Sequence, residues 1–242
     1  MLESPDMADR TENAPQLILA SNSPRRRELF ALCGLEFQTL EARVDETPLA
    51  NEDGMEYVAR LANEKAAVAS RRVGVHSIVI AADTTVVDTD ANGNRMILCK
   101  PENPDEAENM LRGLRGHTHL VHTALSIYRG QDGRIASDIC TTHVPMRNYS
   151  DQEIQAYIAS GDPMDKAGAY AIQHADFHPV EDLTGCYANV MGLPLCHLTR
   201  HLVRMALPPH TNVPVECQHA LGYRCTVYPQ ILEGNDLDYT WG

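Results

Sequence analysis

The stretch SNSPRRR, residues 21 to 27, sets positive charge where a helix should repel it. Ser23 reads as a helix N-cap and Pro24 as the first helical residue, so Arg25, Arg26 and Arg27 fall in the first turn. A helix N-terminus carries about half a unit of positive charge and offers free N–H groups to anions. A phosphate bound there removes the conflict, because guanidinium and backbone donors then aim at one set of oxygens. A solvated basic turn paired with acids elsewhere accounts for the stretch equally well. Asp83, in AADTTVVD, ends the apolar run SIVIAA. A carboxylate at the C-terminal end of a buried strand is costly unless it pairs or binds a metal, and open α/β sheets place ligands there. The alternative is a turn capped through Thr84 or Thr85. Lys65 in NEK and Lys100 in CKP are ordinary surface lysines taken singly, and counter-charges if phosphate and carboxylate gather near them. DKAGAYAIQ, residues 165 to 173, is a small-residue loop whose Gln173 amide can both donate to and accept from a base edge; otherwise it only joins a loop to a strand.

Other motifs are absent. One Asp precedes the Thr pair, so a DxDxT phosphatase nucleophile is missing, as are a Walker A motif and GxGxxG. His117 and His119 in HTHLVH have a spacing that could hold a metal, although alternating His in an amphipathic strand is more often structural.

These residues sit in a chain of 242 residues with formal net charge −13 and 43% hydrophobic content. That is enough for one α/β domain, or two small lobes around a cleft. The acidic balance argues against a general nucleic-acid binder and makes clustered arginines stand out. No apolar run approaches the ~18 residues of a membrane span. Residues 1 to 15 are polar and carry acids, unlike a signal peptide, so a disordered leader on a cytoplasmic chain is expected. Seven scattered cysteines without CxxC predict reduced thiols.

The elements that must position the chemistry follow from patterning. LILAS is a strand, a helix starts at Pro24, and LEFQTLEA (35–42) is a second strand. A helix spans 54–72, and 76–89 forms a buried strand leading into another. DANGN is a hairpin turn and RMILCK the returning strand, followed by a helix over 103–116. HTHLVHTALSIYRG and RIASDICTTHVPMR alternate as two long paired strands around GQDG. A helix follows at 150–161, then FHPVEDLTG (177–185) as a candidate strand and a last helix at 193–207. Residues 208–242 are rich in proline and lack helical periodicity; they read as an extension, packed on the body or covering a partner surface.

In order along the chain stand SNSPRRREL, RVDE, LANEKA, AADT, CKP, GHTHLVHT, DKAGAYAIQ and NVMGLPL. This series resembles the Maf family, the septum-formation-inhibitor-like proteins, over roughly residues 16–207. The resemblance implies an elongated mixed α/β sheet with two lobes around a cleft, similar to inosine triphosphate pyrophosphatases. It implies a metal-dependent nucleoside triphosphate pyrophosphatase of the dTTP/UTP branch, which clears excess or non-canonical pyrimidine nucleotides, using Mg²⁺ or Mn²⁺. Asp83 would be the proton acceptor and Glu46 a second acid, both metal ligands. Arg25, Arg26, Lys65 and Lys100 would hold the triphosphate, and Ser21 and Ser23 would line the phosphate loop. Arg25, Thr84 and Gln173 would tune base choice. A homodimer is implied as well. Ala171 and His174 stand where the family's AYGIQG has glycines, which bears on the base. Competing readings are a 7-methyl-GTP or other nucleotide pyrophosphatase, and a non-catalytic nucleotide-binding regulator of cell division.

Overall fold

A computed structural model of the chain describes residues 15–90 and 92–234; nearly all of the expected leader and Trp241 lie outside the described residues. A six-stranded mixed sheet runs in the order β2-β1-β3-β5-β6, with β4 paired to β3. β1 (Gln16–Leu19) is parallel to both β2 (Gln38–Thr39) and β3 (Ser77–Thr89). β4 (Arg95–Leu98), β5 (Thr118–Arg129) and β6 (Arg134–Pro145) add antiparallel pairs. Helix α2 (Gly54–Ser70) covers one face through Val58, Leu61, Ala62 and Ala66. The other face carries the main core, into which α1 (Pro24–Ala31), α3 (Pro104–Leu114), α4 (Asp151–Ala159), α5 (Tyr187–Val190) and α6 (Leu195–Arg204) send Phe30, Leu111, Ile154, Ala188 and Leu198.

The predicted starts of α1 and α4 are present: Ser23 accepts from the Arg26 N–H, and Ser150 forms a reciprocal capping box with Glu153. The segment 76–89 departs from expectation. It is one continuous strand of 13 residues, not two. β1 pairs β3 only as far as Ile80, and β4 begins pairing only at Val86. Both lie on the edge opposite β5, so among the described residues no strand lies beside residues 81–85 there. Asp83 is therefore mid-strand, at a notch in the sheet, rather than at a strand end.

Two further expectations fail. LEFQTLEA shrinks to two strand residues, because the four-residue β1 offers pairing only at Ile18 and Leu19. FHPVEDLTG makes a single bridge, Met146 to Val180. His178 and Asp182 there have φ of 42° and 53°, which a strand cannot contain, and Arg147 takes the Phe177 and His178 carbonyls.

The tail is helical where no period was legible: α7 (Val213–Leu221) and α8 (Tyr228–Glu233), ended by Gly222 and Gly234 at positive φ. Both open with a proline in the first turn and are too short for a clear repeat. They pack on the body. Val213 is 1% and Ile231 6% exposed, and the Tyr223 hydroxyl lies within hydrogen-bond distance of the carbonyls of Leu183 and Gly185, to either of which it can donate. Truncating Ile231 to alanine is expected to lower the unfolding free energy by about 2–4 kcal/mol in urea titrations. An unchanged midpoint would show a tail that adds nothing to the domain.

Candidate active site

The notch in the sheet opens into a cleft of about 480 Å³. Its lining includes Ser23, Arg25, Arg26, Glu46, Lys65, Asp83, Thr84, Lys100 and Gln173, residues scattered over 150 positions of sequence. Ser21 lies in an adjoining groove with Glu46, Lys65 and Lys100, and its hydroxyl accepts the Ser23 N–H at 3.2 Å. Every residue to which the family resemblance gives a catalytic or binding role thus belongs to one place, whereas Arg27, His117 and His119 do not line it.

Alternation along β3 divides the chemistry between two faces. Asp83 shares a face with Val79 and Ala81, which pack against Ala66 of α2. Lys65, one residue earlier on that helix, places its ammonium 2.5 Å from Asp83 Oδ1 and 2.6 Å from Glu46 Oε1. Glu46 arrives on the loop before α2, held by the Tyr57 hydroxyl, which donates to its carbonyl at 2.7 Å. Lys100 stands 3.5 Å from the other oxygen of Glu46. Thr84 points the opposite way, to α1. There Arg26 Nη2 donates to its hydroxyl at 3.1 Å and Arg26 Nε donates to the Gly192 carbonyl at 2.8 Å.

The two carboxylates titrate apart. Burial is the largest influence on Asp83 and holds its carboxyl above the ordinary value, against the pull of Lys65 and Arg26. Burial pushes Glu46 up too, but Lys65 and Lys100 outweigh it and leave Glu46 below its ordinary value. One acid is thus a firm anion and the other a better proton acceptor.

Sequence reasoning passed over several residues of the cleft. Tyr57 falls on the apolar period of the 54–72 helix and carries no other signal in the sequence. Lys166 is 7% exposed, and its ammonium is taken up by the Asp162 carbonyl and the carboxylates of Asp162 and Asp165. Its signal was the lysine opening KAGAY. Gly168, φ 68°, lets this loop reach β3: a Cβ there would come within 2.9 Å of Val86. The histidine spacing holds no metal cluster among the described residues. His117 pairs with Asp88, and His119 meets the Tyr170 hydroxyl while burial pushes it down to about 3.

Residues 16–205 match the family model described as Maf-like protein. The chain belongs to that family. Among the proteins similar to this Maf-like chain is a Dehalococcoides mccartyi protein named dTTP/UTP pyrophosphatase, 38% identical over 89% of this chain and 93% of its own length. Proteins of the same name from Thermomicrobium roseum (46% identical; 84% and 91% covered) and Geotalea uraniireducens (42%; 78% and 94%) are also similar. One solved structure, the Staphylococcus aureus Ham1 protein, aligns at TM-score 0.33 and 15% identity over 54% of this chain and 71% of its own. At that distance nothing about this Maf-like chain follows from it.

The raised Asp83 pKa has a consequence for stability with a definite sign. Between the unfolded value of about 3.9 and the higher folded value, the folded chain binds more protons than the unfolded one. Stability contributed by Asp83 is therefore lost as pH rises through that window and stays lost above it. Asp83→Asn, neutral and of the same shape, is expected to melt no lower than wild type in calorimetry at pH 8. A drop of several degrees would mean that the ion pair with Lys65 outweighs the cost of burial.

Proposed function

We propose that this chain is a nucleoside triphosphate pyrophosphatase acting on dTTP and UTP, releasing the monophosphate and diphosphate. The observation that carries the reading is Lys65 bridging Asp83 and Glu46 at the floor of a cleft whose walls bear Arg25, Arg26 and Lys100. The names of similar Maf-like proteins support the substrate. In this reading Asp83 takes a proton from a water. The oxygen of that water forms a bond to the α-phosphorus, and the bond from that phosphorus to the bridging oxygen breaks as diphosphate leaves. The raised pKa of Asp83 suits a general base. Arg25, Arg26 and Lys100 meet the phosphoryl oxygens, where charge grows as the bond breaks. Ser21 and Ser23 hold the turn that aims the first two. Gln173 lies in the same cleft, with an amide able to face the base.

The donor set fits a hard divalent cation. Asp83 and Glu46 converge on one ammonium, and Mg²⁺ is content with one or two carboxylates, the rest being water and phosphate oxygens. Asp83 and Glu46 would hold it, and the ion would supply neutralisation of phosphate charge. The same reading takes the protein to be a cytoplasmic homodimer, which sedimentation and cell fractionation test. No helix among the described residues is long and apolar enough to cross a membrane.

Scoring dTTP, UTP, CTP, GTP and 7-methyl-GTP for diphosphate against single-phosphate release tests the proposal. Diphosphate from dTTP and UTP is expected, with kcat reduced about 100- to 10,000-fold in Asp83→Asn. Diphosphate from 7-methyl-GTP alone would move the chain to another substrate, and no release from any nucleotide would leave a binding protein. Removing divalent ions with a chelator is expected to stop turnover and Mg²⁺ or Mn²⁺ to restore it; full activity in the chelator would remove the metal from the account.

A further inference from the structure

Behind Arg26 lies a set of buried polar groups that the proposed reaction does not use. Thr123, on β5, sits opposite Thr84 of β3 in register, and both hydroxyls lie on the sheet face toward α1. Their oxygens are 2.9 Å apart, a distance at which either could donate. The rest of the network removes that freedom. Thr123 is 0% exposed, and its hydroxyl donates to the Asn189 carbonyl at 2.9 Å. A threonine has one hydroxyl proton, so Thr123 has none left for Thr84. Thr84 must be the donor between them, and its oxygen is then an acceptor for Arg26 Nη2. The chain runs one way, from the guanidinium through Thr84 and Thr123 to a backbone carbonyl.

That carbonyl accepts two hydrogen bonds, and the side chain of its residue donates two more. Asn189 is also 0% exposed, and its Nδ2 donates to the Val121 carbonyl at 3.0 Å and to the Thr142 hydroxyl at 2.9 Å. A carbonyl only accepts, so the amide group can face Val121 in one orientation alone. The Asn189 carbonyl also receives the Gly192 N–H at 2.9 Å, closing the turn whose Gly192 carbonyl takes Arg26 Nε. At Gly192, φ is 103°, and a Cβ would stand 3.2 Å from the Thr84 oxygen and 3.3 Å from Arg26 Nε. One turn thus grips the guanidinium twice, directly and through two hydroxyls. Arg26 Nη1 stays outside this grip, and Arg26 itself lines the cleft.

Taking the proposed reaction as given, we propose that Thr123 is a positioning residue, which with Asn189 fixes the plane of the Arg26 guanidinium for the triphosphate. Its contribution is orientation set before substrate arrives.

A double-mutant cycle on kcat/KM for dTTP tests this. Thr123→Val keeps the shape and removes the hydroxyl, and is expected to lower kcat/KM about tenfold or more; Thr123→Ser is expected within about twofold of wild type. In an Arg26→Lys background the relay has no guanidinium to hold, so Thr123→Val is expected to cost less than about twofold further. Equal fold-losses in both backgrounds, or a loss that serine does not recover, would overturn the proposal, since a structural threonine behaves that way. Should Thr123→Val not fold, Thr123→Cys, close in size and a feeble donor, takes its place with the same outcomes. The cycle is repeated on affinity for a dUTP analogue with a methylene group between the α and β phosphorus. Active wild-type protein with an additive cycle sinks the relay alone. Wild-type protein that binds the analogue without turning anything over sinks the reaction, and the relay then stands or falls on the binding cycle. Wild-type protein that does neither overturns both.

Discussion

The ammonium of Lys65 between two carboxylates is the interaction on which the rest of the site depends. A carboxylate as buried as Asp83 is costly in water-poor surroundings, and a second carboxylate beside it makes the cost greater. One lysine, itself 8% exposed, satisfies both. Ion pairs of this kind contribute little net stability, because desolvation offsets attraction, yet losing the shared lysine would leave the buried Asp83 carboxylate and Glu46 without it. Their presence is better explained by chemistry: the arrangement keeps two anionic oxygens converged where a triphosphate and its cation arrive.

The sheet makes this possible by leaving one strand edge open. β1 pairs with β3 only as far as Ile80 and β4 pairs with it only from Val86, so the β3 residues between can serve a ligand instead of a neighbouring strand. Because side chains alternate, adjacent residues serve different needs. Asp83 faces α2 and Lys65, while Thr84 faces α1 and Arg26. The opening arginine puzzle resolves in part through the same geometry. Arg26 is restrained by the Gly192 carbonyl and by the Thr84 hydroxyl of β3, which offset the repulsion of the helix N-terminus.

Much of this was legible in the sequence wherever the cause was local. Ser23-Pro24 marks a helix start by its own capping chemistry, and alternation around GQDG marks the β5–β6 hairpin. Of the site residues, Arg25, Arg26 and Asp83 are legible as charges out of place, whereas Lys65 and Lys100 are ordinary lysines taken singly and Glu46 enters only through the family resemblance. What escaped were properties of pairing. Nothing in SIVIAADTTVVDT tells where a neighbouring strand ends, so the notch was hidden and Asp83 was placed at a strand end. Thr123 ends GHTHLVHT and Asn189 opens NVMGLPL, two stretches that carry the resemblance, yet neither has a legible role until register sets Thr123 opposite Thr84 and the Asn189 carbonyl takes its proton. The tail helices escaped because their stability comes from docking on the body rather than from a helical period of their own.

The balance between burial and Lys65 at Asp83 is the central physical claim, and it can be measured without any substrate. Carbon-detected NMR of the Asp83 carboxyl, titrated in wild-type protein and in Lys65→Met, reads it directly. A midpoint above the ordinary ~3.9 in the wild type, moving higher when the ammonium is removed, is the predicted result. A wild-type midpoint at or below that value would mean that the ion pair locks Asp83 as a firm anion, and the account of it as the proton acceptor would be wrong.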